Sequence, residues 1–197
     1  MITSIKTRVL SAPGIHYALS RFGWPSLKSA AFSAKFDSGS WDHYEEPKAM
    51  VELIEEVNAG GSILALGCGG NPLGRALRLK SYSAFTGVDI SASAVALAKK
   101  HSPVHQTFFV SDMLDFKSDE SFSTIVFSES LYFIPNHEKN IVPLLNYWSS
   151  RLNDGGNIVV TTVAPTRYST MLRLIRDNFI VSKETQLASN RIALTFR

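Results

Sequence analysis

The chain has a single cysteine, Cys68, among 197 residues, and no apolar run of bilayer-spanning length. One cysteine excludes an internal disulfide, and the lack of a CxxC pair excludes a thiolate zinc cluster. A membrane-crossing helix needs about 18–20 apolar residues in succession. The N-terminus also lacks the apolar core of roughly 7–15 residues that marks a secretory signal. The reading is therefore a cytoplasmic protein with no membrane span and no metal centre. His16, His43, His101, His105 and His137 show no metal-ligand spacing, and no Ser-His-Asp or Cys-His order can be read. Acidic residues are absent from residues 1–36, which carry Lys6, Arg8, Arg21, Lys28 and Lys35. The whole chain is only +3, so the remainder sums to −2. A basic, serine-containing start suits an anion-binding lid, a transit segment or a plain solvated stretch.

What is present is the pattern of a globular α/β domain. Hydrophobic residues make up 45% and charged residues 19%, enough apolar content for a core without covalent staples. Residues 1–45 have no clean period and are broken by Pro13-Gly14, Gly23-Trp24-Pro25 and Gly39-Ser40-Trp41. They read as an N-terminal helical lid, with the main domain over 46–197. From Pro47, Met50, Leu53, Ile54 and Val57 follow helical spacing, with Gly60-Gly61 as the stop. Residues 62–66 are a short apolar run ending at Gly67, as in a buried parallel strand. Further strands are expected at 84–89, 107–111, 122–128 and 157–163, and helices at 72–80, 91–101, 138–152 and 166–178. Alternation of this kind implies a doubly wound, mostly parallel sheet. The strand-like pieces 179–181 and 191–196 have no room for a helix between them, so they must run antiparallel.

In such sheets ligands bind beyond the C-terminal strand ends. Gly67-Cys68-Gly69-Gly70 follows the first strand and lets a ligand approach the backbone. The dinucleotide fingerprint fails because Pro72 takes the third glycine position, and a phosphate loop fails because Arg75 and Ala76 replace its Lys and hydroxyl. A nucleoside-like ligand without a pyrophosphate remains. Asp89 ends the second strand, twenty positions after Gly69, where an acid meets a ribose or caps the next helix; Ile90 follows it. Asp112 ends the third strand, placed to accept from an adenine amino group or to close a turn, with Met113 beside the ring. Ser128-Glu129 ends the fourth strand ahead of Tyr132 and Phe133. Glu129 is the candidate to orient a nucleophile or take its proton, and His137 is a second candidate base. Trp41 and Tyr44 are candidate lid aromatics, and Cys68 reads as a small turn residue.

These residues together resemble class I S-adenosylmethionine-dependent methyltransferases. Residues 62–69 resemble the family's first motif, Asp89 its ribose-binding acid, Asp112 its adenine-side acid and residues 127–132 its fourth motif. Leu152-Asn153-Asp154-Gly155-Gly156 resembles its entry to strand five. The resemblance covers about residues 47–197. It implies a Rossmann-like seven-stranded sheet with an antiparallel last strand, S-adenosylmethionine as cofactor, and cofactor contacts from Gly67, Cys68, Gly69, Asp89, Ile90, Asp112, Met113 and Ser128. Residues 128–132 and the ending 191–197 are similar to nodulation-type N-methyltransferases, which act on chitooligosaccharides. Two departures stand out. Ala65 sits where the family carries an acid for the methionine amino group, and Asn71-Pro72 replaces a later glycine, a variant similar to some ribosomal-RNA methyltransferases. The implied reaction is methyl transfer to an oxygen or nitrogen of a small-molecule acceptor. The competing readings are an RNA methyltransferase, which the modest net charge disfavours, and a cofactor-binding module without catalysis.

Overall fold

A computed structural model describes residues 25–41 and 44–197. Most of the basic N-terminal stretch, including Lys6, Arg8 and Arg21, lies outside the described residues, as does His43. The first described element is helix α1, Pro25–Asp37. It is followed by α2 (Lys48–Asn58), β1 (Ser62–Leu66), α3 (Pro72–Ala76), β2 (Ala84–Asp89), α4 (Ala92–His101), β3 (Gln106–Val110) and β4 (Phe122–Phe127). A short 3₁₀ turn at Leu131–Phe133 precedes α5 (His137–Ser149), β5 (Leu152–Val163), α6 (Ser169–Asn178), β6 (Val181–Ala188) and β7 (Arg191–Phe196).

The seven strands form one sheet in the order β3-β2-β1-β4-β5-β7-β6. Neighbours from β3 to β5 are parallel, and β7 runs antiparallel to both β5 and β6. The strand order reverses between β1 and β4, so the C-terminal ends of β1 and β4 flank the crevice where ligands bind in such sheets. Both faces are covered. Leu64, Leu66, Ile125, Phe127, Trp148 and Ile175 belong to one apolar layer. Met50, Ile54, Ile63, Ala65, Val95 and Val126 belong to the other. Alternate residues of β1 thus enter opposite layers, as the two-residue pleat requires. No helix among the described residues is long and apolar enough to cross a membrane.

Several boundaries differ from the sequence expectations, among them the ends of the helices expected at 138–152 and 166–178, which run His137–Ser149 and Ser169–Asn178, and three have a readable cause. The helix expected at 72–80 stops at Ala76. Glu55 of α2 captures the Arg78 backbone N–H at 2.8 Å and its Nε at 2.7 Å, so the donor that would extend the helix is spent elsewhere. The strand expected at 157–163 starts at Leu152, which already pairs with Phe122. The next regular pair is Thr124 with Asn157, so a bulge carrying Gly155 at φ +75° takes up the extra residues. At the sheet edge, the strand expected at 179–181 instead starts at Val181 and runs to Ala188, leaving Phe179 and Ile180 outside it. Ser182, Lys183 and Glu184 face water there, so they show no apolar alternation that sequence reading could use.

The Asn58 side chain fixes α2 against the strands. Its Nδ2 donates to Gly61 O and Ser81 O, both at 2.8 Å, and the residue is buried. Asn58→Ala should therefore lower stability by about 1–2 kcal/mol, because Ser81 O loses its Asn58 donor and Gly61 O keeps only the Ser83 amide. A denaturant titration would show this as a lower midpoint with an unchanged slope.

Candidate functional site

A cavity of about 480 Å³ opens above the C-terminal ends of β1, β2, β3 and β4, with α1 on its far side. That volume suits a small organic ligand. Its floor is the turn after β1. Gly67 and Cys68 both donate their N–H groups to Val88 O, at 2.8 and 3.0 Å, which folds the turn over the end of β2. Gly67 has φ +75°, and a Cβ there would lie 2.4 Å from Ser130 Cβ. Ser130 in turn donates to Leu66 O at 2.6 Å. Only glycine fits a position that is both left-handed and this crowded.

Asn71 has φ +62° and performs a glycine's conformational task, which asparagine tolerates better than most residues. It adds what glycine cannot. Its Oδ1 accepts from Gly74 N at 3.1 Å as the cap of α3, and its Nδ2 donates to Gln106 Oε1 and Ser102 Oγ. The departure at Asn71 is thus a different solution for the same turn.

Asp89 ends β2 and is buried. Its Oδ2 accepts from Gly69 N at 2.9 Å and its Oδ1 from Ser91 N at 2.8 Å. Ser91, not Asp89, caps α4, through a bond from Ala94 N to its Oγ. Burial raises the Asp89 pKa, opposed by the two backbone amides and by Lys28. Asp112, after β3, accepts from Lys28 Nζ at 2.9 Å through Oδ2 and from Leu114 N at 3.1 Å through Oδ1. Both members of the Lys28–Asp112 pair are largely shielded from water.

Lys28 belongs to α1, and this helix is held to the site by further polar bonds. Ser29 Oγ donates to Ile90 O at 2.9 Å, and Ser33 Oγ lies 3.0 Å from Ser91 Oγ. Its aromatic residues complete the wall. Phe32 meets Phe133 edge-on at 5.0 Å between centroids, and Phe36 meets Trp41 at 5.2 Å.

At the β4 end of the cavity stands a second polar group. Glu129 has φ +50°, uncommon for a side chain of its size. Its backbone N–H donates to Thr161 Oγ1 at 3.0 Å. Its carboxylate accepts from Val163 N at 2.8 Å and Tyr132 Oη at 3.3 Å, and pairs with Arg191 Nε at 3.1 Å. Burial raises its pKa against these partners. The Arg191 guanidinium also lies over the Tyr44 ring, 5.8 Å from its centroid. The Tyr44 hydroxyl is buried and has no hydrogen-bond partner among the described residues. Burial and the nearby Glu46 push its pKa well above the usual phenol range despite Arg191, so it stays a neutral O–H. Glu46 accepts from Ser128 Oγ at 2.7 Å. Its pKa is raised by burial, opposed by Ser128 and Arg191.

The structure therefore brings Gly67, Cys68, Gly69, Asp89, Ile90, Asp112, Met113, Ser128, Glu129, Trp41, Tyr44 and Tyr132 to one cavity. It does not bring His137 there. That residue starts α5, and its Nε2 lies 3.1 Å from Tyr132 O, behind the cavity wall. Burial, with Asp89 beside it, holds the Cys68 thiol well above its ordinary pKa, which disfavours the thiolate. The sequence reading missed Lys28, Glu46 and Arg191 as wall residues. Lys28 was visible only as one of several basic residues, and Glu46 as one of two consecutive acids before Pro47. Neither position carried a spacing signal.

A family model described as a methyltransferase domain matches residues 41–188. No curated protein matches the sequence. Among solved structures, the DhpI complex with SAH is 18% identical with a TM-score of 0.64, covering 92% of this chain and 94% of that one. N-methyltransferase NodS from Bradyrhizobium japonicum WM9, in complex with S-adenosyl-L-homocysteine, is 17% identical with a TM-score of 0.63, covering 75% of this chain and 85% of that one. A TehB-like SAM-dependent methyltransferase from Corynebacterium glutamicum is 18% identical with a TM-score of 0.65, covering 85% and 96%. At these identities the likeness is one of fold.

A buried carboxyl with a raised pKa weakens folding above that pKa, where the folded state holds a costly charge, and costs nothing below the unfolded value. Glu46→Gln should therefore raise the Tm of the ligand-free protein at pH 8. The gain should shrink as the pH falls toward about 4, where the wild-type carboxyl is protonated in both states. Thermal melts of the two proteins across that range check this.

Proposed function

The chain belongs to the methyltransferase-domain family, and on that premise we propose that it transfers a methyl group from S-adenosylmethionine to an oxygen or nitrogen of a small-molecule acceptor. The observation that carries this reading is the Gly67–Gly69 turn, pinned by Asp89 under a cavity whose other strand end presents Asp112. The residues fit the cofactor. Each Asp89 oxygen receives one backbone N–H and retains a lone pair for a ribose hydroxyl. Asp112 keeps acceptor capacity beside Lys28 for an adenine amino group. Met113 and Ile90 line the same end of the cavity. Gly67 and Gly69 present bare backbone where the sulfur would pass.

The cofactor supplies a methyl group already activated on a sulfonium. The work left to the protein is positioning and exclusion of water, and alignment alone can supply up to about 7–11 kcal/mol. Phe32, Phe36 and Trp41 form an apolar wall that shields the reacting centre. Glu129 is held by four groups, so its task is to orient Arg191 and Tyr132 toward the acceptor. Helix α1 acts as the lid, closing the nucleoside end through Lys28, Ser29 and Ser33. The enclosed volume and its mostly apolar wall favour a small acceptor over a nucleic acid. Structural neighbours crystallised with SAH, including an N-methyltransferase, support the same cofactor and chemistry.

Isothermal titration of the purified protein with S-adenosylmethionine should show one site. Asp89→Ala should weaken it at least tenfold, since a hydrogen bond to a charged group contributes about 1.5–3 kcal/mol. Failure of the wild type to bind, or an unchanged Kd in the variant, overturns the reading. Transfer of a labelled methyl group across a panel of amines, alcohols and glycans then identifies the acceptor.

A further inference from the structure

Four carboxylates line the cavity, and three are already matched. Asp89 accepts from two backbone amides. Asp112 holds Lys28 and the Leu114 amide. Glu129 holds Arg191, the Val163 amide, Tyr132 and Thr161. Glu46 has a single donor among the described residues, the Ser128 hydroxyl, on one of its two oxygens. No ion pair reaches it among the described residues, because the nearby Arg191 is engaged by Glu129. The unpartnered Tyr44 hydroxyl lies two residues away and lines the same cavity. A half-buried acid with an open oxygen, near a buried hydroxyl without a partner among the described residues, is a place that a cationic donor would complete.

The sheet order says which part of a ligand would arrive there. With the base at Asp112 after β3 and the ribose at Asp89 after β2, the rest of an extended ligand runs over β1 toward β4. The pairing of Ala65 with Val126 puts Gly67 and Ser128, two residues on, at the same level. Ser128 is the residue that holds Glu46. The wall of β1 itself offers only the methyl of Ala65 at this point. Glu46 precedes α2, whose Met50 and Ile54 pack in the same apolar layer as Ala65, so the carboxylate stands on the same side of the sheet.

We propose that Glu46, positioned by Ser128, pairs with the α-ammonium group of the cofactor's amino-acid tail. This rests on the S-adenosylmethionine reading above and assigns that cofactor's one primary ammonium to the one cavity acid that, among the described residues, has neither an ion pair nor a backbone amide as partner. Glu46 acts here as a binding residue and takes no part in bond making.

The test compares two probes on wild type and Glu46→Gln by isothermal titration. S-adenosylhomocysteine carries the amino-acid tail, and 5′-methylthioadenosine carries the same thioether nucleoside without it. The variant should bind S-adenosylhomocysteine at least tenfold more weakly and 5′-methylthioadenosine within about twofold of wild type. Retained binding of the second probe also shows that the variant is folded and the nucleoside end intact. Unchanged affinity for S-adenosylhomocysteine overturns the proposal and returns Glu46 to the acceptor side. An equal loss of both probes overturns it too, since the effect would then not lie in the tail. If wild type binds neither probe, the cofactor reading itself fails, which is a distinct result.

Discussion

The two hydrogen bonds accepted by the Asp89 carboxylate are the constraint on which the site depends. One oxygen takes the Gly69 amide from the turn after β1, and the other takes the Ser91 amide at the start of α4. A single buried side chain thereby sets the distance between two adjacent strand ends and aims the turn's backbone upward. Burial works against the charge, and the backbone donors work for it. Ser91 then caps α4 and meets Ser33 of α1, so the lid helix hangs from the same fastening. Displacing Asp89 would move floor, second strand and lid together.

Charge is distributed along the cavity in the order of the strands. The β3 end holds a carboxylate already matched by a lysine from α1, the β2 end a carboxylate matched by amides, and the β4 end two carboxylates of which only Glu129 pairs with a guanidinium. Carboxylates thus outnumber the cations paired with them at the β2 and β4 ends of the cavity. A sulfonium and an ammonium are the charges such a region favours, whereas a pyrophosphate would be repelled. The absence of a phosphate loop, read from Pro72, Arg75 and Ala76, and the surplus of acid at the far end thus describe one preference from two directions.

Much of this was legible in the sequence because it lies where the pattern is strict. Strands buried on both faces give continuous apolar runs, so 62–66, 84–89 and 122–127 could be read within a residue. Residues at strand ends inherit their place from those runs, which is why Asp89, Asp112 and Ser128 could be named before their neighbours were known. Glu46 and Lys28 could not. Each reaches the cavity from a segment packed on the sheet by long-range contacts, and no period in residues 25–47 fixes its direction. His137 lies outside the cavity lining for a related reason: a turn of 3₁₀ helix at Leu131–Phe133 precedes it, and its ring meets the Tyr132 carbonyl. The end of α3 was hidden because Glu55, more than twenty residues earlier in the chain, decides it.

The only sulfhydryl in the chain lies in the turn itself, next to the carboxylate that fastens it. Oxidation and alkylation begin from the thiolate. Burial and the Asp89 charge keep this sulfur protonated, and Gly87 leaves room for it, since a Cβ there would stand 2.9 Å from Cys68 Sγ. A raised pKa lowers the thiolate fraction from which oxidants and electrophiles react. With one native cysteine, its thiol raised in this way, a cysteine introduced on the lid helix would be the faster one to label.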